Sequence, residues 1–154
     1  MPKPPLTASQ EDYLEAVLAV ADEAGSARVG DIADHLGVSR PSASAAIKPL
    51  ASRGLVTHEP YRLVTLTDAG RQRATQVRRR HRFLRDLLAD GLRVDAEAAE
   101  ANACRAEHVL DETVSARLRC FTEFLLDSQP GRDALVAFAR YRRRWDRRQV
   151  ERQG

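Results

Sequence analysis

ARVGDIADHLGVSRPSASAAIKPLASRGLV, residues 27–56, is the stretch on which the fold turns. Ile32, Ala33 and Leu36 recur at helical spacing and stop at Gly37, so a first short helix spans about Val29 to Leu36 with those three inward. Ser39 has the short hydroxyl that caps a helix N-terminus. Pro41 falls in the first turn, where a missing N–H costs nothing. A second helix therefore follows Ser39 and is closed by Gly54. Two short helices around a tight glycine turn have the spacing of a helix–turn–helix. Pro49 sits uneasily in this pattern. It removes a backbone donor and crowds the carbonyl of Ala45, which predicts a second helix kinked or shortened after Ile47.

Just downstream, LVTHEPYRLVTLT (55–67) alternates β-formers around EPYR, which predicts a short hairpin, or wing, with Tyr61 and Arg62 near its tip. A helix–turn–helix followed by a wing is a winged-helix pattern, whose second helix enters the major groove of double-stranded DNA. The candidate DNA-binding residues are Ser39, Arg40, Pro41, Ser42, Ser44 and Lys48 at this helix, with Arg62 on the wing. Arg40 is the one long donor suited to bidentate guanine reading. The hydroxyls, Lys48 and Arg62 suit phosphates.

Upstream, Ser9 can cap a helix from about Gln10 to Ala24, ended by Gly25. Leu14, Val17, Leu18 and Ala21 form its buried stripe, and Asp12 and Glu15 share a neighbouring face one turn apart. Downstream, Thr67 or Asp68 starts a long helix reaching about Ala89, and DGLRVD (90–95) is a connection. Asp95 caps a helix from about Ala96 to Leu110, and another runs from about Glu112 to Leu126. DSQPG (127–131) reads as a break, with a last helix from near Arg132. The expected fold class is mainly α: a winged helix–turn–helix domain over 1–70, joined by a long helix to an all-helical domain over 71–154.

Bulk properties agree. The chain has 154 residues, enough for one ordinary domain or two small ones, and 43% are apolar but only 5% aromatic. The net charge of +3 permits an acidic partner without demanding one. Arginine is concentrated in RQRATQVRRRHR (71–82) and RYRRRWDRRQVER (140–152), which reads either as solvated helix face or as attraction to a polyanion. Two cysteines 16 apart do not make a disulfide framework, and no signal sequence or membrane-length apolar run appears. A cytoplasmic protein with no membrane partner is expected.

CRAEHVLDE (104–112) admits three readings: a wet amphipathic helix, a catalytic centre, or metal ligands. Positions i, i+3 and i+4 lie on one helix face, so Cys104, Glu107 and His108 can converge. That triplet alone favours the plain helix. Asp12, Glu15 and His81 shift the balance, because they are polar groups beside apolar stripes on two other helices, and helices in a bundle can build one site. Hard oxygens, borderline nitrogens and one soft sulfur suit Mn2+, Fe2+, Co2+ or Zn2+ better than Ca2+ or Mg2+. For catalysis there is no H-E-x-x-H pair, no glycine-rich phosphate loop and no nucleophile elbow, so no enzyme is expected.

EDYLEAVLAVADEAG (11–25), ARVGDIADHLGVS (27–39), RGLVTHEPYRLVTLTDAG (53–70), RRRHRFLRDLL (78–88) and ACRAEHVLDETV (103–114) occur in the order found in the DtxR/MntR family, which this chain resembles over roughly residues 9–127. The resemblance implies a metal-dependent transcriptional repressor, of the short form lacking an SH3-like domain, that binds palindromic operator DNA as a homodimer. It implies a second domain that binds metal and dimerises. It places metal ligands on Asp12, Glu15, His81, Cys104, Glu107 and His108, at a site between the two domains. Asp12 and Glu15 match the manganese-sensing branch, whereas Cys104 matches the iron-sensing branch, so the set is a hybrid. Mn2+ or Fe2+ is the expected cofactor, with tight Zn2+ or Co2+ binding expected in vitro. Helices after Asp95 would form the dimer, with Val109, Leu118, Phe121, Phe124 and Leu125 as the apolar candidates, while Cys120 is expected to pack as a small apolar residue. The competing reading is a metal-independent winged-helix regulator that senses another ligand.

Overall fold

Residues 5–58 and 63–153 are described by the computed structural model of the chain. They form two compact units whose boundary falls within one helix, between Arg79 and Arg80. Among these residues no helix is long and apolar enough to cross a membrane. The described residues are mainly helical, with one two-stranded sheet among them.

The first unit starts with α1, Ala8–Ala24. It begins two residues before the expected Gln10, because Thr7 rather than Ser9 is the cap. The Thr7 hydroxyl accepts from the Gln10 amide while the Gln10 side chain accepts from the Thr7 amide, a reciprocal capping box that satisfies two donors at once. Helix α2, Val29–Leu36, ends as expected at Gly37, whose φ of 66° is left-handed and lets its N–H reach the last carbonyls. Helix α3, Arg40–Ser52, is capped by the Ser39 hydroxyl. It continues past Ile47 to Ser52, so Pro49 neither shortens it nor ends it. The reason is location. Ala45 and Pro49 both lie on the exposed face, so water can take the carbonyl that proline leaves without a donor, while Ile47 and Leu50 anchor the opposite face.

Strands β1 (Val56–His58) and β2 (Val64–Leu66) pair antiparallel with Val56 opposite Leu66, which is the expected wing. The wing tip with Tyr61 and Arg62 lies outside the described residues. Val64 also bridges to Ala27, tying the wing to the segment between α1 and α2. Leu14, Val17, Ile32, Ile47, Leu50 and Val64 are almost fully excluded from water and form the core of this unit. Next, the Thr67 hydroxyl donates towards the carbonyls of Gly54 and Leu55 and accepts from the Gly70 amide, which fixes the start of α4, Asp68–Asp86. A Cβ at Gly70 would collide with the Leu55 carbonyl, so only glycine lets α4 approach this closely.

Helix α4 gives way to one π-helical turn, Leu87–Gly91, where a regular helix to Ala89 was expected. Helix α5 is Ala96–Ala106, capped by Asp95, whose carboxylate accepts from the Glu97 and Ala98 amides. It stops four residues short of the expected Leu110. Helix α6, Glu112–Asp127, is capped by Asp111. The DSQPG break shrinks to Ser128 alone, and α7 spans Gln129–Gln153. Pro130 sits in the first turn, where no donor is needed, and the Gly131 amide donates to the Ser128 hydroxyl, so the segment starts a helix instead of interrupting one. Phe83, Leu84 and Ala103 form a small core in this second unit, with Leu88, Ala106, Leu110 and Leu118 packed on it.

Candidate metal centre and nucleic-acid interface

Because α5 ends at Ala106, the CRAEHVLDE triplet is not a face of one regular helix. Cys104 is on the last turn, Glu107 is the C-cap residue, and His108 lies in the turn beyond it. Glu107 still has helical dihedrals (φ −60°, ψ −26°), so its side chain follows the helix face, but that of His108 is set by the turn.

Glu107 is 1% exposed, as deeply buried as the aliphatic core. Its two carboxylate oxygens each face an imidazole. His81 Nδ1, from α4, is 3.1 Å from Oε2, and His108 Nε2 is 3.3 Å from Oε1. Among the described residues Oε2 accepts no hydrogen bond despite that short distance, so the groups converge without being aligned to bond each other. An ionised carboxylate at this depth is costly unless countered by charge or donors. Two imidazoles and one carboxylate make a donor set that a divalent cation of borderline hardness would satisfy, and the residues present fit such an ion. His81 Nε2 is 2.9 Å from a Glu100 carboxylate oxygen, which holds the imidazole from its other nitrogen.

Of the expected metal ligands, then, His81, Glu107 and His108 are gathered within the second unit. Cys104 is exposed on the last turn of α5, and it and Cys120 are both thiols. Asp12 and Glu15 are half-buried, one turn apart on α1 of the first unit. Their neighbour Glu11 is buried and ion-paired with Arg73 of α4. Glu100 was not among the expected site residues, although its spacing held the signal: it lies seven residues before Glu107, on the same helix face. Cys120 does not pack as a small apolar residue. It is exposed on the outer side of α6, because that helix turns Ser115, Thr122 and Leu125 inward instead.

On α3, Arg40, Pro41, Ser42 and Lys48 are exposed and Ser44 is half-buried. Ala43, Ile47 and Leu50 bury the opposite side. The outward face therefore centres on Ala45, and includes Pro49 and Ser52, which are not among the polar candidates. Burial at Ala43, Ile47 and Leu50 was readable from periodicity, and its opposite face points to Ala45. Ser39 and Ser42 share a 2.7 Å hydroxyl contact at the cap, so part of their hydrogen-bonding capacity is spent on the helix start. Arg40 lies over the first turn of α2, and a Cβ at Gly30 would stand 3.3 Å from its Nε. This leaves its guanidinium exposed yet oriented.

Residues 5–64 match the family model of the iron dependent repressor N-terminal DNA binding domain, and residues 67–133 match that of the iron dependent repressor metal binding and dimerisation domain. The chain is 36% identical to the transcriptional regulator MntR of Escherichia coli O6:H1 over 113 residues, which is 73% of this chain and 72% of that relative. It is 33% identical over 113 residues to the diphtheria toxin repressor of Corynebacterium diphtheriae, covering 73% of this chain and 50% of that protein. Among solved structures it is similar to a manganese-dependent transcriptional repressor in complex with manganese, at 32% identity and a TM-score of 0.64 over 75% of this chain. It is also similar to the manganese regulator SloR, at 26% identity and a TM-score of 0.66 over 75% of this chain. The chain spans about half the length of those two structures, 54% for SloR and 53% for the manganese complex.

Proposed function

Since the chain belongs to the DtxR/MntR family of metal-dependent transcriptional repressors, we propose that it binds palindromic operator DNA as a homodimer when Mn2+ or Fe2+ is bound. In this reading Asp12 and Glu15 of the first unit, with His81, Cys104, Glu107 and His108 of the second, supply the donors. The observation that carries it is Glu107: a buried carboxylate with an imidazole at each oxygen and one oxygen accepting no hydrogen bond. A bound divalent cation supplies positive charge that the clustered carboxylates lack without it.

The chain's own residues do the rest. Glu107 and His108 follow one another at the end of α5, so a change in the setting of that turn moves both donors together. His81 is held by Glu100, which keeps its other nitrogen turned to Glu107. Asp12 and Glu15 stand on α1, which packs on both helices of the helix–turn–helix, so what α1 binds bears on how α3 is presented. At α3, Arg40 reads base edges, Lys48 and the hydroxyls of Ser39, Ser42 and Ser44 contact phosphates, Pro41 lies against the backbone at the helix start, and Arg62 contacts phosphate from the wing. Linkage then requires operator DNA to raise metal affinity by the same factor that metal raises operator affinity.

The test is operator binding by gel shift under anaerobic conditions, titrating Mn2+ and Fe2+ separately, with Glu107→Ala beside the wild type. Wild-type binding should rise with metal. Glu107→Ala should keep its helical circular dichroism and lose at least about 100-fold in metal affinity. Equal wild-type affinity with and without metal would instead assign the chain to metal-independent winged-helix regulators.

A further inference from the structure

The last turns of α7 hold a dense run of arginine that neither the α3 interface nor the Glu107 cluster uses. The segment 140–148 has arginine at 140, 142, 143, 144, 147 and 148 and a single carboxylate, Asp146. Their placement around the helix decides what they can do. At 100° per residue, Arg140, Arg143, Arg144, Arg147 and Arg148 fall within an arc of about 140°. Leu135, Phe138, Arg142 and Gln149, all half-buried, mark the opposite side, which is the packed one. The five arginines are exposed, and among the described residues none of them has an ion-pair partner. Asp146 lies away from the arc and faces Arg142 at 3.9 Å, so it does not neutralise them. Tyr141 and Trp145, 52% and 47% exposed, flank the arc on one side.

We propose that this arginine face of α7 is a second nucleic-acid contact, which binds the phosphate backbone of duplex DNA without reading sequence. This rests on the DNA-binding reading above and extends it to a surface outside the winged helix. Charge complementarity supports it. Five guanidiniums over about 12 Å of helix, none with an ion-pair partner among the described residues, amount to one positive charge per about 2.4 Å, the same order as a duplex, which carries one negative charge per about 1.7 Å of axis. Guanidinium forks suit phosphate oxygens, and flanking aromatic rings suit the sugar edge. An apolar partner, by contrast, would have to desolvate the arginines with no carboxylate to meet them.

The experiment compares the full chain with the variant Arg140→Gln, Arg143→Gln, Arg144→Gln, Arg147→Gln and Arg148→Gln, on operator and on unrelated duplex, across a salt series with metal present. The expected result is binding weakened by at least about tenfold on both duplexes. The slope of log K against log salt should be shallower by about 0.9 for each phosphate that the variant no longer neutralises. Trp145 is the only tryptophan, so wild-type fluorescence should also change on adding unrelated duplex. Unchanged slope and affinity in a variant with wild-type helicity would overturn the proposal while leaving operator binding intact. Failure of the wild type to bind any duplex would overturn the underlying reading instead. Full DNA affinity in the variant, with loss of binding to phosphatidylserine vesicles, would assign the face to a lipid surface and likewise overturn it.

Discussion

At the scale of a residue, Glu107 and Cys104 divide the chemistry between them. Glu107 is buried with imidazoles at both oxygens, which makes it the centre of the proposed donor set. Cys104, three residues earlier, is the one soft donor among the proposed ligands, and it is exposed. A thiolate favours softer, later ions, whereas a carboxylate favours Mn2+. Cys104→Glu should therefore raise the affinity for Mn2+ relative to Zn2+ by about tenfold or more, the size that changes around a metal ligand commonly produce. Competition titrations with the two ions check this, and an unchanged ratio would remove Cys104 from the donor set. The residue types were legible in the sequence. That Glu107 would be buried while Cys104 is exposed was not, since both sit on the same amphipathic pattern.

At the scale of an element, α3 carries the clearest tension between local and tertiary preference. Proline inside a helix costs roughly 3 kcal/mol relative to alanine. Yet α3 continues through Pro49 to Ser52, because Ile47 and Leu50 on one side are fixed in the core of the first unit. The same cost is expected to be recoverable. Pro49→Ala should stabilise the protein by about 1–3 kcal/mol and raise Tm by several degrees, read by thermal unfolding. A lower Tm would mean that Pro49 makes a packing contact its exposure does not suggest. Helix α5 shows the opposite case. Its sequence continues in helical pattern to Leu110, but the helix stops at Ala106, and Glu107 and His108 form its end. Local periodicity predicted a longer helix there, because it carries no information about a turn that places a carboxylate beside two imidazoles.

At the scale of the whole molecule, α6 and α7 leave a set of large apolar side chains exposed. Val114, Phe121 and Phe124 on α6 are 41%, 52% and 44% exposed, while Leu118 and Leu125 of the same helix pack inward. Of the five apolar candidates for a dimer interface, Phe121, Phe124 and Val109 are therefore the ones available to a second copy. Phe121→Asp combined with Phe124→Asp should yield a monomer by sedimentation. It should also weaken operator binding by about 100-fold or more through reduced avidity, with metal affinity of the Glu107 cluster retained. A dimer that persists would place the interface elsewhere.

Periodicity, caps and turn residues determined a great deal by themselves: α2 to the residue, the cap of α3 at Ser39, the cap of α5 at Asp95, and the paired strands of the wing. These follow from interactions within a few positions of one another, which the linear order contains. Tertiary structure alone decided that α3 survives Pro49, that α5 ends at Ala106, that Cys120 faces outward, and that His81 and His108 meet at a buried Glu107. Each of those depends on which face a distant helix covers, and burial of that kind is set by packing between segments far apart in the chain.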